Sequence, residues 1–399
     1  MSHQPAIIAI GFNRPLSLKR LLSSLQRANY SDSDINLVIS IDFSDSKQGA
    51  ETRQIADEFQ WEHGQKKLLV REQNLGLRSH VLACGDLVSE YGSIIMLEDD
   101  VSVGPEFYKF ATEALDFTAS DSQVGGVSLY NHCTNFVCQL PFESLYDGFD
   151  NYYLQIAQSW GQAWSQQQWT AFREWYDGLS ESALSQIPDS VPIPRSVANW
   201  PKSSWLKYFI WHLVEFEKYF LYPRQSHTTN NADAGTHAHH RTSTWQVPVA
   251  FKTGDLRFST VTQSHSVYDS FFELLPDRFK TVAPRLKDYE FDVDLFGTKP
   301  LTQLKKPFTL TSKAINGSPE LSFDLAYKPM VANFVERSTN PEKATFSLSK
   351  RELVTSEKKI SMKSMHFVQY FFGFVPVRTL AKNMFRYFLQ SKFRGSSTK

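Results

Sequence analysis

Cysteine is scarce, neither charge sign is in excess, and no long apolar run occurs. Among 399 residues the only cysteines are Cys84, Cys133 and Cys138. So small and odd a number argues against a disulfide framework, and no zinc-binding spacing is present. Cys133 and Cys138 are able to pair in principle, but free thiols in a reducing compartment are the expectation. Lys plus Arg number 42 and Asp plus Glu number 42, for a net charge of zero. That balance argues against a general nucleic-acid binder, and against a disordered acidic chain. No stretch reaches the roughly 18 apolar residues of a membrane-spanning helix. Residues 1–5 lack a basic region, and the apolar run at 6–10 is too short for a secretory signal. A cytosolic protein is expected, with any membrane contact peripheral. Glycine-rich phosphate loops are missing too. There is no G-x-G-x-x-G after the first apolar run and no Walker loop, which disfavours a dinucleotide enzyme or a P-loop NTPase.

What is abundant is aromatic: 31 Phe, 16 Tyr and 9 Trp, or 14% of the chain. The length suggests two or three units, one of them large enough for a full core. The first 130 residues alternate regularly. Apolar runs at 6–10, 36–41, 67–71 and 93–97 read as strands. Residues 16–25, 50–60, 77–91 and 105–118 read as helices, the first opened by Pro15. Strand and helix alternating at about 30-residue spacing predict right-handed crossovers and a mostly parallel α/β sheet flanked by helices. Beyond residue 126 the pattern changes. Residues 151–175 are rich in Trp, Tyr and Gln, 204–220 read as an aromatic helix, and 222–244 carry His227, His237, His239 and His240. Residues 297–356 are rich in Lys, Ser, Thr and Pro. The expected division is 1–250, an accessory region 251–356 and a tail 357–399.

Open parallel sheets bind ligands beyond the carboxyl ends of their strands. Gly11-Phe12-Asn13-Arg14-Pro15, Asp42 and Glu98-Asp99-Asp100 all fall there. The last is the most informative. Three successive carboxylates after Ile94-Ile95-Met96-Leu97 repel one another, and a divalent cation relieves the repulsion. Hard oxygen ligands suit Mg²⁺ or Mn²⁺, which commonly share their shell with substrate phosphates.

These pieces, in this order, resemble a GT-A fold glycosyltransferase, close to family 2 and to the N-acetylglucosaminyltransferase-I-like group. Ile8-Ala9-Ile10-Gly11-Phe12-Asn13-Arg14-Pro15 is similar to that family's opening strand and helix. Ile39-Ser40-Ile41-Asp42 resembles its second strand, with the Asp that holds the base. Arg71-Glu72-Gln73-Asn74-Leu75-Gly76-Leu77-Arg78 resembles its N-x-G segment, and Glu98-Asp99-Asp100 its metal motif. Ser159-Trp160-Gly161-Gln162-Ala163-Trp164 resembles a Trp-rich segment of related bacterial enzymes, and Gly235-Thr236-His237 a later G-T-H segment. The likeness spans about residues 5–245. It implies a GT-A, Rossmann-like sheet with a C-terminal extension. It also implies a metal-dependent transfer of sugar from a nucleotide diphosphate, a UDP-sugar being favoured, to a glycan or lipid-linked glycan, with inversion.

By the same resemblance Gly11, Asn13, Arg14 and Asp42 hold the nucleoside. Asn74 and Arg78 lie near the ribose or diphosphate, and Glu98 and Asp99 contact ribose and sugar hydroxyls. Asp100 binds the metal, with His237 completing its shell or contacting phosphate. Trp160 and Trp164 offer flat faces on which a sugar ring stacks. The general base is expected near 201–205, but Pro201-Lys202-Ser203-Ser204-Trp205 has no carboxylate. Asp177, Glu174, Glu215 and Asp233 are the nearby alternatives. The missing base leaves room for a non-catalytic glycan-binding or scaffold protein on the same fold. A sugar-phosphate nucleotidyltransferase would need a glycine-rich basic loop after the first strand, which is absent.

The tail from Ser361 has no Asp or Glu. Arg378, Lys382 and Arg386 recur every four residues, with Phe385, Phe388 and Leu389 on another face. A basic face beside an aromatic one suits an anionic membrane surface. It would fit an enzyme of bacterial surface-polysaccharide (lipopolysaccharide or capsule) assembly.

Overall fold

The computed structural model describes residues 3–30, 34–233, 243–340, 343–358 and 365–373. The chain forms two compact units, 1–137 with 142–281, and 138–141 with 282–399.

The first unit is built on a nine-stranded sheet. Strands β1 (Ala6–Gly11), β2 (Leu37–Ile41), β3 (Lys66–Val70) and β4 (Ser93–Glu98) run parallel in the order β3-β2-β1-β4. Every residue of β1 and β2 is buried, because helices cover both faces. Helix α1 (Pro15–Gln26) seats Leu18, Leu21, Leu22 and Leu25 on the sheet and starts at Pro15, whose missing N–H is harmless there. Helix α2 (Lys47–Glu58) is capped by Ser46, whose hydroxyl accepts from the Gly49 amide. Helix α3 (Gly76–Gly85) reverses the direction of travel, so right-handed crossovers place it on the face opposite α1 and α2.

The helix predicted across 77–91 is in fact two, α3 and Val88–Tyr91. Asp86 and Leu87 separate them, directly after Gly85. A Cβ on Gly85 would lie 1.9 Å from the Trp169 ring, and Asp86 accepts from the Trp169 indole at 2.8 Å and from Arg173 at 2.8 Å. Packing against one tryptophan thus decides where the helix stops.

After β4 the short strand β5 (Val101–Val103) leaves the sheet, and helix α4 (Phe107–Thr118) follows. The sheet is completed by β6 (Val124–Ser128), β7 (Asn151–Leu154), β8 (Gln162–Ser165), β9 (Tyr219–Pro223) and β11 (Val267–Tyr268), while β10 (Thr228–Asn230) pairs with β5 outside it. The order is β11-β7-β9-β6-β8-β4-β1-β2-β3. Strand β8 is antiparallel to both its neighbours, β4 and β6, and β9 is antiparallel to β7. The sheet is therefore mixed but mostly parallel. Helices α5 (Gln166–Asp177) and α6 (Leu206–Glu215) pack on each other through Phe172 and Phe209, whose rings stack 4.2 Å apart.

The helix read over 204–220 ends at Glu215. Glu217 adopts φ 49°, the Lys218 amide donates back to Leu213 at 2.7 Å, and Tyr219 opens β9. The boundary expected at 250 also moves. Tyr153 and Leu154 pair with Val267 and Tyr268, and Leu256 and Phe258 pack on the first unit's core, so residues 251–281 belong to it.

In the second unit, strands Phe291–Asp294, Phe308–Thr311, Phe346–Lys350 and Leu321–Phe323 lie adjacent in that order. Lys313 and Asp294 form a buried ion pair at 2.6 Å. Part of the tail read as membrane-facing is docked here. In helix Met365–Phe372, Phe367 is fully buried with its ring 6.4 Å from that of Phe346, and Tyr370 donates to the Tyr327 carbonyl at 2.8 Å. The basic stretch with Arg378, Lys382 and Arg386 lies outside the described residues. Among the described residues no helix is long and apolar enough to cross a membrane.

Candidate functional site

Strand β4 ends on Glu98, and the chain turns at Asp99-Asp100 before β5. Asp99 is 3% exposed. Arg14, immediately before α1, donates to the Asp99 carboxylate and, at 3.3 Å, to Asp100 Oδ2. Burial pushes the Glu98 carboxyl up to about 8; Asp100 adds repulsion and Arg14 offsets part of it. Burial likewise raises Asp99 to about 7 against the pull of Arg14. Arg14 itself loses hydration, but Asp99 and Asp100 outweigh that and hold its charge firmly.

Asp100 faces two ways. Its main-chain carbonyl accepts from the Asn231 amide at 2.7 Å and from Asn231 Nδ2 at 3.0 Å. Asn231 Nδ2 also donates to Ser102 Oγ at 2.9 Å. These bonds, with the β5–β10 ladder, bring residues 228–233 to the carboxylates. Asp233 then accepts from Ser17 Oγ at 2.8 Å and from Arg20, both on α1. Asp100 Oδ1 is buried and, among the described residues, receives no hydrogen bond. A buried carboxylate oxygen without a donor carries a desolvation cost that a cation would remove. It therefore fits Mg²⁺ or Mn²⁺. Among the described residues no group of three or more His, Cys, Asp or Glu side chains forms a metal-holding cluster, and His237 lies outside them.

Asp42 closes β2 and fastens the 74–76 turn. Its Oδ1 accepts from the Leu75 amide at 2.9 Å and its Oδ2 from the Gly76 amide at 3.0 Å. Asn74 Oδ1 also accepts from Gly76, at 2.8 Å. Gly76 has φ 73°, a conformation glycine enters without strain. Behind this turn sits His80, which sequence reasoning missed, with Ser40 and Arg71. His80 Nε2 is 2.8 Å from Ser40 Oγ, and Arg71 Nε is buried without a partner. Burial lowers His80 to about 4, with Asp42 opposing and Arg71 adding to the shift. Ser40 was the available signal, a hydroxyl inside an otherwise apolar buried strand.

The two tryptophans part company. Trp164 is fully buried, 4.8 Å from the Trp169 ring and 5.6 Å from that of Phe209. Its indole is closed off by core packing and offers no face to a sugar, which corrects the expectation for that residue. Trp160 is half-buried, 4.9 Å from the Tyr130 ring and 5.4 Å from Trp245. The Trp160 carbonyl accepts from Thr228 Oγ1 at 2.5 Å, which ties it to the strand that reaches Asp100. Its amide donates to Gln158 Oε1 at 3.1 Å, and Gln158 Nε2 lies 3.1 Å from buried His132.

Of the carboxylates considered as base, Asp177 is exposed and paired with Arg173 at 2.9 Å along α5, and Glu174 and Glu215 are exposed. Asp233 is the one bonded to the same helix start as Arg14. Arg78 donates to Tyr208 Oη at 3.4 Å.

The buried groups set opposite pH trends. Burial lowers His80, His212 and His227 from 6.5 to about 4 and His132 to about 3. Their folded form stays neutral, so their contribution to stability is full above 6.5 and is lost as pH falls toward these values. Glu98 acts in reverse. Its contribution is full below 4.5 and is lost as pH rises through about 8. Glu98→Gln is therefore expected to raise the metal-free Tm at pH 8.5 by roughly 2–4 °C and to steepen the loss on acidification. Thermal melts in EDTA at pH 8.5 and pH 5 check this, and unchanged melting at pH 8.5 would count against it.

No family model and no curated protein matches the chain. Solved structures similar to parts of it include S. aureus TarS residues 1–349, at 13% identity and TM-score 0.36 over 56% of this chain and 59% of that one. GalNAc-T7 with UDP, GalNAc and Mn²⁺ is similar at 12% identity and TM-score 0.36, over 61% of this chain and 45% of that one. The mannosyltransferase PcManGT of Pyrobaculum calidifontis, with GDP-Man and Mn²⁺, is similar at 13% identity and TM-score 0.31, over 45% and 48%. The chain matches about three fifths of the TarS fragment.

Proposed function

We propose that the protein is a glycosyltransferase of GT-A type that moves a sugar from a nucleotide diphosphate, a UDP-sugar being favoured, to an acceptor hydroxyl. The observation that carries this is Asp100 Oδ1, buried and without a donor at the carboxyl end of β4, beside Asp99 and Arg14. An Mg²⁺ or Mn²⁺ held by Asp100, with His237 as its further ligand, would supply Lewis-acid charge against the departing diphosphate.

The chain's own groups do the rest. Gly11 and Asn13 border the nucleoside. Asp42, which already accepts from the Phe43, Leu75 and Gly76 amides, offers its remaining acceptor position to the base, and Asn74 lies near the ribose or diphosphate. Glu98 and Asp99 receive ribose and sugar hydroxyls. Arg14 neutralises the carboxylates until the donor arrives. Asp233, held by Ser17 and Arg20, takes the acceptor proton, and Trp160 stacks on the acceptor sugar. Inversion follows from a base on the face opposite the leaving group; a retained anomeric configuration in the product would exclude it. The acceptor is read as a glycan or lipid-linked glycan.

The test is thermal shift against UDP- and GDP-sugars with and without Mn²⁺. A ligand at 100 times its Kd stabilises the fold by about 2.7 kcal/mol. Stabilisation that needs Mn²⁺ supports the reading, and a panel in which no nucleotide sugar shifts the melt overturns it.

A further inference from the structure

A cluster of cations stands apart from the carboxylates. Arg78 lies in the first turn of α3, Lys207 in the first turn of α6, and Lys202 just before it. Both helix starts meet at Tyr208. Arg78 Cζ is 5.7 Å and Lys207 Nζ 5.2 Å from the centre of its ring. The Tyr208 hydroxyl accepts from Arg78 at 3.4 Å and donates to the Leu184 carbonyl at 2.5 Å.

Lys207 is the informative member. It is 2% exposed, and its ammonium, with three protons to donate, makes one hydrogen bond, to the Trp200 carbonyl at 2.9 Å. Burial, then the fields of Arg78 and Lys202, pull it below the usual lysine range. Among the described residues no ion pair engages Arg78, Lys202 or Lys207. Asp177, on neighbouring α5, is committed to Arg173. A buried ammonium beside two like charges calls for an anion. Two cations flank one ring and the field of a third reaches Lys207, which favours a multiply charged oxyanion over a single carboxylate.

The cluster sits on the α3 face of the sheet, while Arg14, Ser17 and Arg20 belong to α1 on the other face. Lys202 lies in the stretch, 201–205, where a carboxylate base was expected, and Lys207 follows it.

We propose that Arg78 and Lys207, which meet at Tyr208, together with Lys202 near Lys207, form a subsite for a phosphate ester carried by the acceptor. The word acceptor rests on the transferase reading; the phosphate subsite itself does not. Isothermal titration of the full chain with sn-glycerol 3-phosphate tests it, with glycerol as the neutral control. Binding is expected for the phosphate and not for glycerol. Saturating UDP and Mn²⁺ should change its affinity by less than about twofold, as for independent sites. Lys202→Gln, at an exposed position, should weaken it about tenfold, the loss of one charge-assisted hydrogen bond. Lys207→Gln should do the same, with its melting curve recorded to separate binding from folding. No binding by the wild type, or equal binding by both variants, overturns the subsite. Displacement by UDP and Mn²⁺ overturns the acceptor assignment and gives these cations to the donor diphosphate. A separate titration with UDP and Mn²⁺ alone reads the transferase proposal independently, since its failure leaves the glycerol-phosphate result standing.

Discussion

Asp100→Ala is expected to lower sugar transfer by about 10³-fold, equivalent to about 4 kcal/mol of lost transition-state stabilisation. Among the described residues, Asp100 is the one member of the acidic triplet with a buried oxygen that has no hydrogen-bond partner. Glu98 and Asp99 are different. Burial holds both carboxyls toward protonation, and Asp99 is engaged by Arg14. Removing Asp100 should also abolish Mn²⁺ binding measured by electron paramagnetic resonance in the absence of substrate, while the fold persists. The Asn231 bonds that attach β10 go to the main-chain carbonyl of residue 100, which the substitution leaves in place. An Asp100→Ala protein that keeps its transfer rate and its Mn²⁺ affinity would remove Asp100 from the site.

The second large effect is on stability. Trp164→Ala should destabilise the protein by about 3–5 kcal/mol in urea denaturation. Its ring is enclosed by Trp169, Trp205, Phe209 and Phe220, and its indole N–H has no partner, so the loss is one of packing and of the cavity left behind. A Cβ on Gly126 would lie 2.5 Å from the Trp164 nitrogen, which shows how little room the surroundings have to collapse. Trp160→Ala should cost far less stability, because half-buried Trp160 has fewer walls to lose. A Trp164→Ala cost below about 1 kcal/mol would mean that the indole is not a core element.

The contrast between these two tryptophans marks the limit of reading along the chain. Trp160 and Trp164 are four residues apart in one motif-like segment, yet β8 turns Trp164 into the layer beneath α5 and α6, while Trp160 precedes the strand. Nothing local distinguishes them. The same holds for the carboxylates. Asp233 and Asp177 looked equivalent, and only the pairing of β5 with β10 brings Asp233 to Ser17 and Arg20. His80 gave no motif, because its proximity to Asp42 is set by how the 74–76 turn folds back on β2.

The opening half of the sheet needed no tertiary information. Buried strands such as β1 and β2 must be apolar on both faces, and helices such as α1 must show one apolar stripe. Those periodicities, with Pro15 as punctuation, set the element order and place Gly11, Asp42 and Glu98–Asp100 at one end of the strands. Three things were decided only in the folded structure: the antiparallel insertion of β8, the end of α6 at Glu215, and the meeting of Arg78 with Lys207 across Tyr208. The first and third depend on contacts between residues far apart in the chain, and the second on a positive φ at Glu217; none of these leaves a period in the sequence. The sparse cysteine and the balanced charge speak for the whole molecule; the unpaired cations around Tyr208 show that neutrality overall coexists with a local excess that folding alone assembles.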